Sequence, residues 1–336
     1  MDLKIGIVTP WGRWIRCGIR TYSENLINAL VEKGVEVYVI RLPRFGRKTS
    51  ELLQLVIDRI PKNDIDILHI QHEYGLYQEL DVFFYRSLEQ LKIPIVTTMH
   101  AVGDWEKDSV IFRVSSKVIV HNEFCRKKFG FPCVVIPHGC KPSKCNNPVE
   151  SKRSLGIDPR IPIVGYCGFI TKYKGIETLI TAVSKVKNAG LLIAGGYHIG
   201  RETDYIVELK NTSFRMLPGR VQWLGYVPDE KLPTVYGAMD VVVYPSRYAT
   251  ESGALLMAIS HGKPVIASDI PPFREKDCLI TFSSLDDLVG KIVELLKNKE
   301  LREELSKKAY EYALRNSWSN VAGKHIKLYE EVLSGG

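Results

Sequence analysis

The segment from Tyr244 to Asp269, YPSRYATESGALLMAISHGKPVIASD, constrains the fold more than any other part of the chain. Val241 to Tyr244 closes a continuous apolar run, the pattern of a parallel strand buried on both faces. Thr250 to Gly253 then supplies small and polar residues. Ala254 to Ser260 suits a short helix, and Gly262 and Pro264 stop it before a further strand at Val265 to Ala267. Backbone N–H groups at such a helix start have no partner in the preceding turn, so they point into the crevice above the sheet, where a diphosphate can sit.

Strand-sized apolar runs alternate with helical patterns along the rest of the chain, which predicts an α/β fold. The first series comprises Ile5 to Val8, Val35 to Ile40, Ile65 to Ile70, Ile95 to Met99, Val118 to Val120 and Val134 to Ile136. The second comprises Ile163 to Cys167, Leu191 to Ala194, Val241 to Tyr244 and Val265 to Ala267, with a helix expected over Gly175 to Lys187. Between the series, Cys140 to Arg160 is rich in Pro, Ser, Asn and charge and has no hydrophobic period, which marks a linker. The expected organisation is a first domain over 1–145, a linker over 146–160 and a second domain over 161–315. A chain of 336 residues with 45% hydrophobic content has material for two cores, and two α/β units on one linker leave a cleft suited to a ligand.

Several classes drop out on composition. The longest apolar runs are strand-sized, short of the ~20 residues of a membrane-spanning helix, and the chain opens on a strand, LKIGIVTP, so the expectation is a cytoplasmic protein. Seven cysteines without a CxxC pair argue against a disulfide scaffold or zinc ribbon, and Cys133, Cys140 and Cys145 read as ordinary thiols. A net charge of +8 spread along the chain fits anionic ligands without singling out nucleic acid.

Four strands in succession end at or just before a histidine: His72, His100, His121 and His138. Carboxyl ends of parallel strands are where ligands bind, so these imidazoles are expected to face the cleft. A metal cluster is the weaker reading, since no acidic ligand and no short His-x-His or HExxH spacing accompanies them. Asp64 and Asp66 form an Asp-x-Asp at the amino edge of a strand, away from that cleft. A glycine loop at Gly18 precedes a helix with Leu26, Ile27, Leu30 and Val31 on one face, and it lacks the GxGxxG of dinucleotide binders. In the second series GFITKYKGIETLI sets Lys172 and Lys174 between strand and helix, as phosphate contacts would be.

With CGIRTYSENL, HIQHEYGLY, PIVTTMH, VIPHG, KGIETLI, GYVPDEKLPTVYGAMDVVVYPS, GKPVIASD and WSNVAGKHIKLYEEVL in this order, the chain resembles the retaining glycosyltransferases of family 4. The resemblance implies the GT-B fold, two facing Rossmann-like domains with a cleft between them, and a last helix, 316–336, crossing back onto the first domain. It implies transfer of a hexose from a nucleotide-diphosphate sugar to a hydroxyl acceptor with retention, without a metal or other cofactor. The second domain would hold the donor and the first the acceptor.

By position, His100 matches the histidine at the transferred sugar, Lys174 the lysine on the diphosphate and Gly18 the loop glycine. Lys172, Ser252, Gly253 and His138 join the expected donor site, and Arg20, His72 and Glu73 the acceptor site. Phe169 replaces a family arginine. Ala249 and Met257 stand where the family has two glutamates, so Glu251 is expected to reach the sugar in their place. Arg13, Arg16, Arg20, Arg41, Arg44, Arg47 and Lys48 suggest an anionic or lipid-linked acceptor with peripheral contact to a membrane surface. A nucleotide-sugar binding protein without turnover, motivated by Ala249 and Met257, and a nucleotide-sugar epimerase using Glu73 and Glu251 are the alternatives.

Overall fold

The computed structural model describes residues 3–12, 17–43, 48–196 and 203–335. The chain forms two units: Met1–Gly139 together with Asn316–Gly336, and Cys140–Arg315.

The first unit contains six parallel strands: β1 (Lys4–Pro10), β2 (Glu36–Leu42), β3 (Ile67–His72), β4 (Ile95–Met99), β5 (Lys117–Val120) and β6 (Val134–Val135). Their order is β2-β1-β3-β4-β5-β6, with Ile5 opposite Ile67 and Val8 opposite Ile40. Alternate residues of each strand enter different cores. Ile5, Ile7 and Ile67 pack with Leu26 and Leu30 of helix Gly18–Val31 and with Val321, Leu328 and Tyr329 of helix Trp318–Leu333. Val8, Leu68 and Ile70 pack on the other face with Leu53, Phe84, Tyr85 and Ile111. The last helix is therefore a structural part of the first unit, packed on its sheet.

The second unit repeats the wiring with β7 (Ile163–Cys167), β8 (Gly190–Ala194), β9 (Val221–Gly225), β10 (Val241–Tyr244), β11 (Val265–Ser268) and β12 (Ile280–Phe282). The order is β12-β11-β10-β7-β8-β9. The expected strands are present, and β9 and β12 are additions. Both are edge strands, and most of their residues are only half-buried, so neither carries the continuous apolar run that marks a central strand. The helix expected over Gly175 to Lys187 runs from Ile176 to Ser184.

The stretch 146–160, expected as a linker, belongs to the second unit. It carries helix Pro148–Ser154, capped by Asn147, whose Oδ1 accepts from the amides of Val149 and Glu150 at 2.9 and 3.2 Å. Only Ser151 and Lys152 of this helix are buried, which explains the missing hydrophobic period. Lys152 Nζ donates to Asp240 Oδ2 at 2.8 Å and to the Ile161 carbonyl at 2.9 Å, while Asp240 Oδ2 also accepts from the Ile163 amide at 2.7 Å. The chain passes between units at Gly139 and Cys140, and again at Arg315 and Asn316.

Lys152 is 5% exposed, so removing its partner strands a buried cation. Asp240→Ala is expected to cost about 3 kcal/mol, the low end for a broken buried pair because Asp240 itself is partly exposed. Urea unfolding of the two proteins side by side checks this, and an unchanged midpoint would remove the pair from the stabilising contacts.

Candidate active site

In the second sheet the strand order reverses between β7 and β10, the point where open parallel sheets hold their ligands. The two loops that leave these strands are tied together. The Arg247 amide donates to the Tyr173 carbonyl at 2.8 Å, and the Tyr244 hydroxyl lies 3.0 Å from the Cys167 carbonyl and 2.6 Å from that of Ala254. Gly175 turns with φ +66°, and a Cβ there would meet the Pro245 carbonyl oxygen at 2.3 Å. Only glycine lets the loops approach this closely.

Lys174 lies at this junction, 8% exposed, with Nζ 4.8 Å from the centre of the Tyr173 ring. Burial lowers its pKa to about 8, against the opposing pull of Glu251. Among the described residues no carboxylate lies within ion-pair distance of it. Glu251 is committed elsewhere: Oε1 accepts from the Ser252 amide at 2.8 Å and Oε2 from Lys276 Nζ at 2.9 Å, with both side chains nearly buried. Burial by itself would lower the Lys276 pKa, but the Glu251 carboxylate reverses this and raises it. Two buried cations around one carboxylate leave an excess positive charge.

Helix Gly253–Ser260 begins beside these charges. Ser252 caps it, its hydroxyl accepting from the Leu255 amide at 3.3 Å, so the Ser252 side chain is buried as a cap and turns away from solvent. Gly253 is exposed, and the first-turn amides of Gly253 and Ala254 have no acceptor within the helix. Lys172 is also exposed. Ala249 is buried, and Met257 packs against the second core.

In the first unit the two-residue period of the strands separates the histidines. His69 and Gln71 of β3 share the face of the terminal helix with Thr98 of β4 and with His100 just beyond it. The His69 ring nitrogens lie 2.7 Å from the Tyr329 hydroxyl and 2.8 Å from Thr98 Oγ1. His100 lies 2.9 Å from the Gln71 amide and 3.3 Å from His121. His138 Nδ1 donates to the Gly139 carbonyl at 2.8 Å. The buried Tyr22 ring packs at 4.7, 5.3 and 5.0 Å from His100, His121 and His138, and at 5.0 Å from Trp318 of the last helix. Three of the four strand-end histidines thus form one cluster.

His72 does not join it. It points to the opposite face, fully buried, stacked on Tyr77 at 5.0 Å and 3.5 Å from Asp81, which corrects its expected place among cleft-facing acceptor residues. Burial lowers its pKa to about 3, so it is neutral. Glu73 is half-buried at the start of helix Tyr74–Tyr77. Arg20 is paired with Glu24 at 2.8 Å. Gly18 opens its helix in an exposed position, with nothing within 4 Å of where a Cβ would stand. Of the basic residues expected near it, Arg13, Arg16, Arg44 and Arg47 lie outside the described residues. Arg41 is exposed, and Lys48 is buried, its amide donating to Gln78 Oε1 at 2.9 Å.

Asp66 sits at the amino end of β3 and accepts from the Lys4 amide at 2.8 Å. Among the described residues no group of three or more His, Cys, Asp or Glu is arranged to hold a metal ion, and no helix is long and apolar enough to cross a membrane. Lys276, His69, Gln71 and Tyr329 were not foreseen. Lys276 stands in an ordinary charged stretch, whereas His69 and Gln71 carried a signal, two polar residues inside an otherwise apolar central strand.

A profile of the glycosyl transferases group 1 family matches residues 149–312. The phosphatidyl-myo-inositol mannosyltransferase of Mycobacterium leprae is 31% identical over 388 aligned positions, covering 99% of this chain and 98% of that protein. The O-antigen chain mannosyltransferase B of Escherichia coli is 30% identical over 173 residues, 49% of this chain. The chain spans about half the length of several curated relatives it matches, 45% for the Escherichia coli protein. Among solved structures, Anabaena HepE in complex with UDP-glucose superimposes with a TM-score of 0.77 at 18% identity, covering 99% of this chain and 100% of that one. The two parallel six-stranded sheets define a GT-B fold. The chain belongs to the glycosyl transferases group 1 family.

Removing the Lys276 ammonium leaves the Glu251 carboxylate buried beside the Ser252 cap without its ion pair. Lys276→Ala is expected to cost about 3 to 5 kcal/mol. The double variant Lys276→Ala with Glu251→Ala should recover part of that loss, measurable by chemical denaturation. Additive losses would mean that the two side chains act independently.

Proposed function

We propose that the chain is a retaining glycosyltransferase that moves a hexose from a nucleotide-diphosphate sugar to a hydroxyl acceptor. The observation that carries this reading is the excess positive charge at the reversal point of the second sheet, where Lys174 and Lys276 outnumber Glu251 beneath the start of helix Gly253–Ser260. A diphosphate matches that charge, with oxygens for Lys174 and for the first-turn amides. The HepE structure, which holds UDP-glucose, supports this choice of donor class.

On this reading the chain's main chemical task is stabilising the charge that develops on the leaving diphosphate. Lys174 and the helix start do this as preorganised groups in a partly desolvated site. Lys172 adds an exposed cation in the same loop. Glu251 is a poor nucleophile or base, because both its oxygens are already engaged. This disfavours an epimerase, which needs a carboxylate to move a proton. It agrees with a front-face route in which the departing phosphate assists deprotonation of the acceptor hydroxyl. His100 and His138 keep the roles that the family resemblance gives them, contacts to the donor sugar.

The acceptor is taken to be anionic or lipid-linked. Support comes from the name of the Mycobacterium leprae relative, a phosphatidyl-myo-inositol mannosyltransferase. No metal is assigned, since Asp64 and Asp66 stand at the amino end of their strand. Turnover should therefore survive EDTA, and loss on chelation with recovery on adding manganese would reject this part of the reading.

Lys174 supplies the sharpest test. It is charged below its pKa of about 8 and loses that charge as the pH rises, so affinity for a nucleoside diphosphate should fall from pH 7 to pH 9, by about tenfold if the bound diphosphate holds the proton on. Calorimetric titration with UDP, GDP and ADP gives the profile. Lys174→Ala should abolish the pH dependence and cost about 2 to 4 kcal/mol in turnover. Binding of a nucleotide sugar with neither transfer nor hydrolysis would instead favour a binding protein, consistent with Ala249 and Met257 packed as core residues.

A further inference from the structure

A continuous polar path crosses the first sheet from the last helix to the histidine cluster. It runs from the Tyr329 hydroxyl to His69 Nδ1 at 2.7 Å, from His69 Nε2 to the Gln71 amide at 3.2 Å, and from there to His100 Nε2 at 2.9 Å. It continues from His100 Nδ1 to His121 Nε2 at 3.3 Å and ends with His121 Nδ1 against the Ile136 carbonyl at 3.2 Å. Thr98 Oγ1 lies beside His69 Nε2 at 2.8 Å.

The far end fixes the direction. A carbonyl oxygen only accepts, so His121 Nδ1 must carry a proton. With the Gln71 carbonyl oxygen toward His100, His100 would carry its proton on Nε2 and accept on Nδ1 from His121. His121 would then be doubly protonated. His121 is only 4% exposed and lies 3.3 Å from another imidazole, so burial opposes a cation there, as burial and the neighbouring imidazoles also hold His100 well below the usual histidine range. Turning the Gln71 amide by 180° removes the conflict, and an amide's two ends are assigned by the network it joins.

Every imidazole is then neutral and each link has one proton. Tyr329 donates to His69 Nδ1, and His69 Nε2 donates to the Gln71 carbonyl and Thr98. The Gln71 NH2 donates to His100 Nε2, His100 Nδ1 donates to His121 Nε2, and His121 Nδ1 donates to Ile136. We infer that Tyr329 and His69 are positioning residues that hold His100, through Gln71, as the neutral Nδ1-protonated tautomer. The terminal helix thereby sets the hydrogen-bonding state of a residue further along the path, beyond His69 and Gln71. The consequence for catalysis rests on the reading that His100 meets the transferred sugar, whereas the tautomer does not.

The experiment is nitrogen NMR of the full chain labelled at its histidine rings, comparing the wild type with Tyr329→Phe and Gln71→Met, with His100→Gln used to assign the signals. The wild type should show His100 protonated at Nδ1 and bare at Nε2. Tyr329→Phe leaves the ring packing but removes the donor, so His69 can turn over its tautomer and the His100 signals should move toward a mixture of both forms. Gln71→Met should release His100 in the same way, and it serves as the test if Tyr329→Phe fails to fold. A wild-type His100 protonated at Nε2, or His100 signals unchanged in the folded variants, would overturn the inference. Steady-state turnover of a nucleotide sugar by Tyr329→Phe adds a second readout, with kcat expected to fall more than the donor KM changes. A moved tautomer with unchanged kcat would leave the relay standing and remove His100 from the proposed chemistry.

Discussion

In a parallel sheet covered on both faces, consecutive residues of a strand belong to different environments, and the rest of the first unit depends on that alternation. β3 shows its consequences most clearly. Ile67, His69 and Gln71 turn toward helix Trp318–Leu333, while Leu68, Ile70 and His72 turn toward the core that contains Tyr77, Phe84 and Tyr85. His69 and His72 lie three positions apart, an odd number, so one joins a hydrogen-bonded path and the other is sealed among aromatic rings. The same parity carries Thr98 and His100 onto the face of the terminal helix, which explains how a helix from the end of the chain shares a cluster with residues near its beginning.

The second unit solves a different problem, the burial of charge. A lone buried ammonium is costly and tends to lose its proton, and Lys174 shows this in its lowered pKa of about 8. Lys276 is more deeply buried yet keeps its proton, because Glu251 sits 2.9 Å away. The contrast follows from geometry, since the carboxylate is already held by Lys276 and the Ser252 amide and lies beyond ion-pair distance of Lys174. A site left short of negative charge in this way is poised for an anion that arrives from outside. The tight loop junction at Gly175 and Pro245, with the Tyr244 hydroxyl bridging two carbonyls, keeps this arrangement from relaxing.

The substitutions at Ala249 and Met257 take their meaning from packing. Both positions fall in or against the second core, so a carboxylate placed at either without other changes would face apolar neighbours. Glu251 stands near the helix start in their place, but as half of an internal ion pair whose direct effect is to hold Lys276 and the cap.

The sequence by itself determined the two series of parallel strands, the loop and helix start around Gly253, and the placing of Lys174 and the strand-end histidines at carboxyl edges. Those features follow from local hydrophobic runs and turn residues, which act over a few positions. It missed β9 and β12 because edge strands need no continuous apolar run, and it read Pro148–Ser154 as a linker because that helix buries only a serine and a lysine. Tertiary structure alone decided which histidines share a face, which lysine Glu251 neutralises, that Ser252 turns inward as a cap, and that Tyr329 reaches His69. Each of these is a contact between residues far apart in the chain, set by strand register and by which face a helix covers, and no local pattern encodes it.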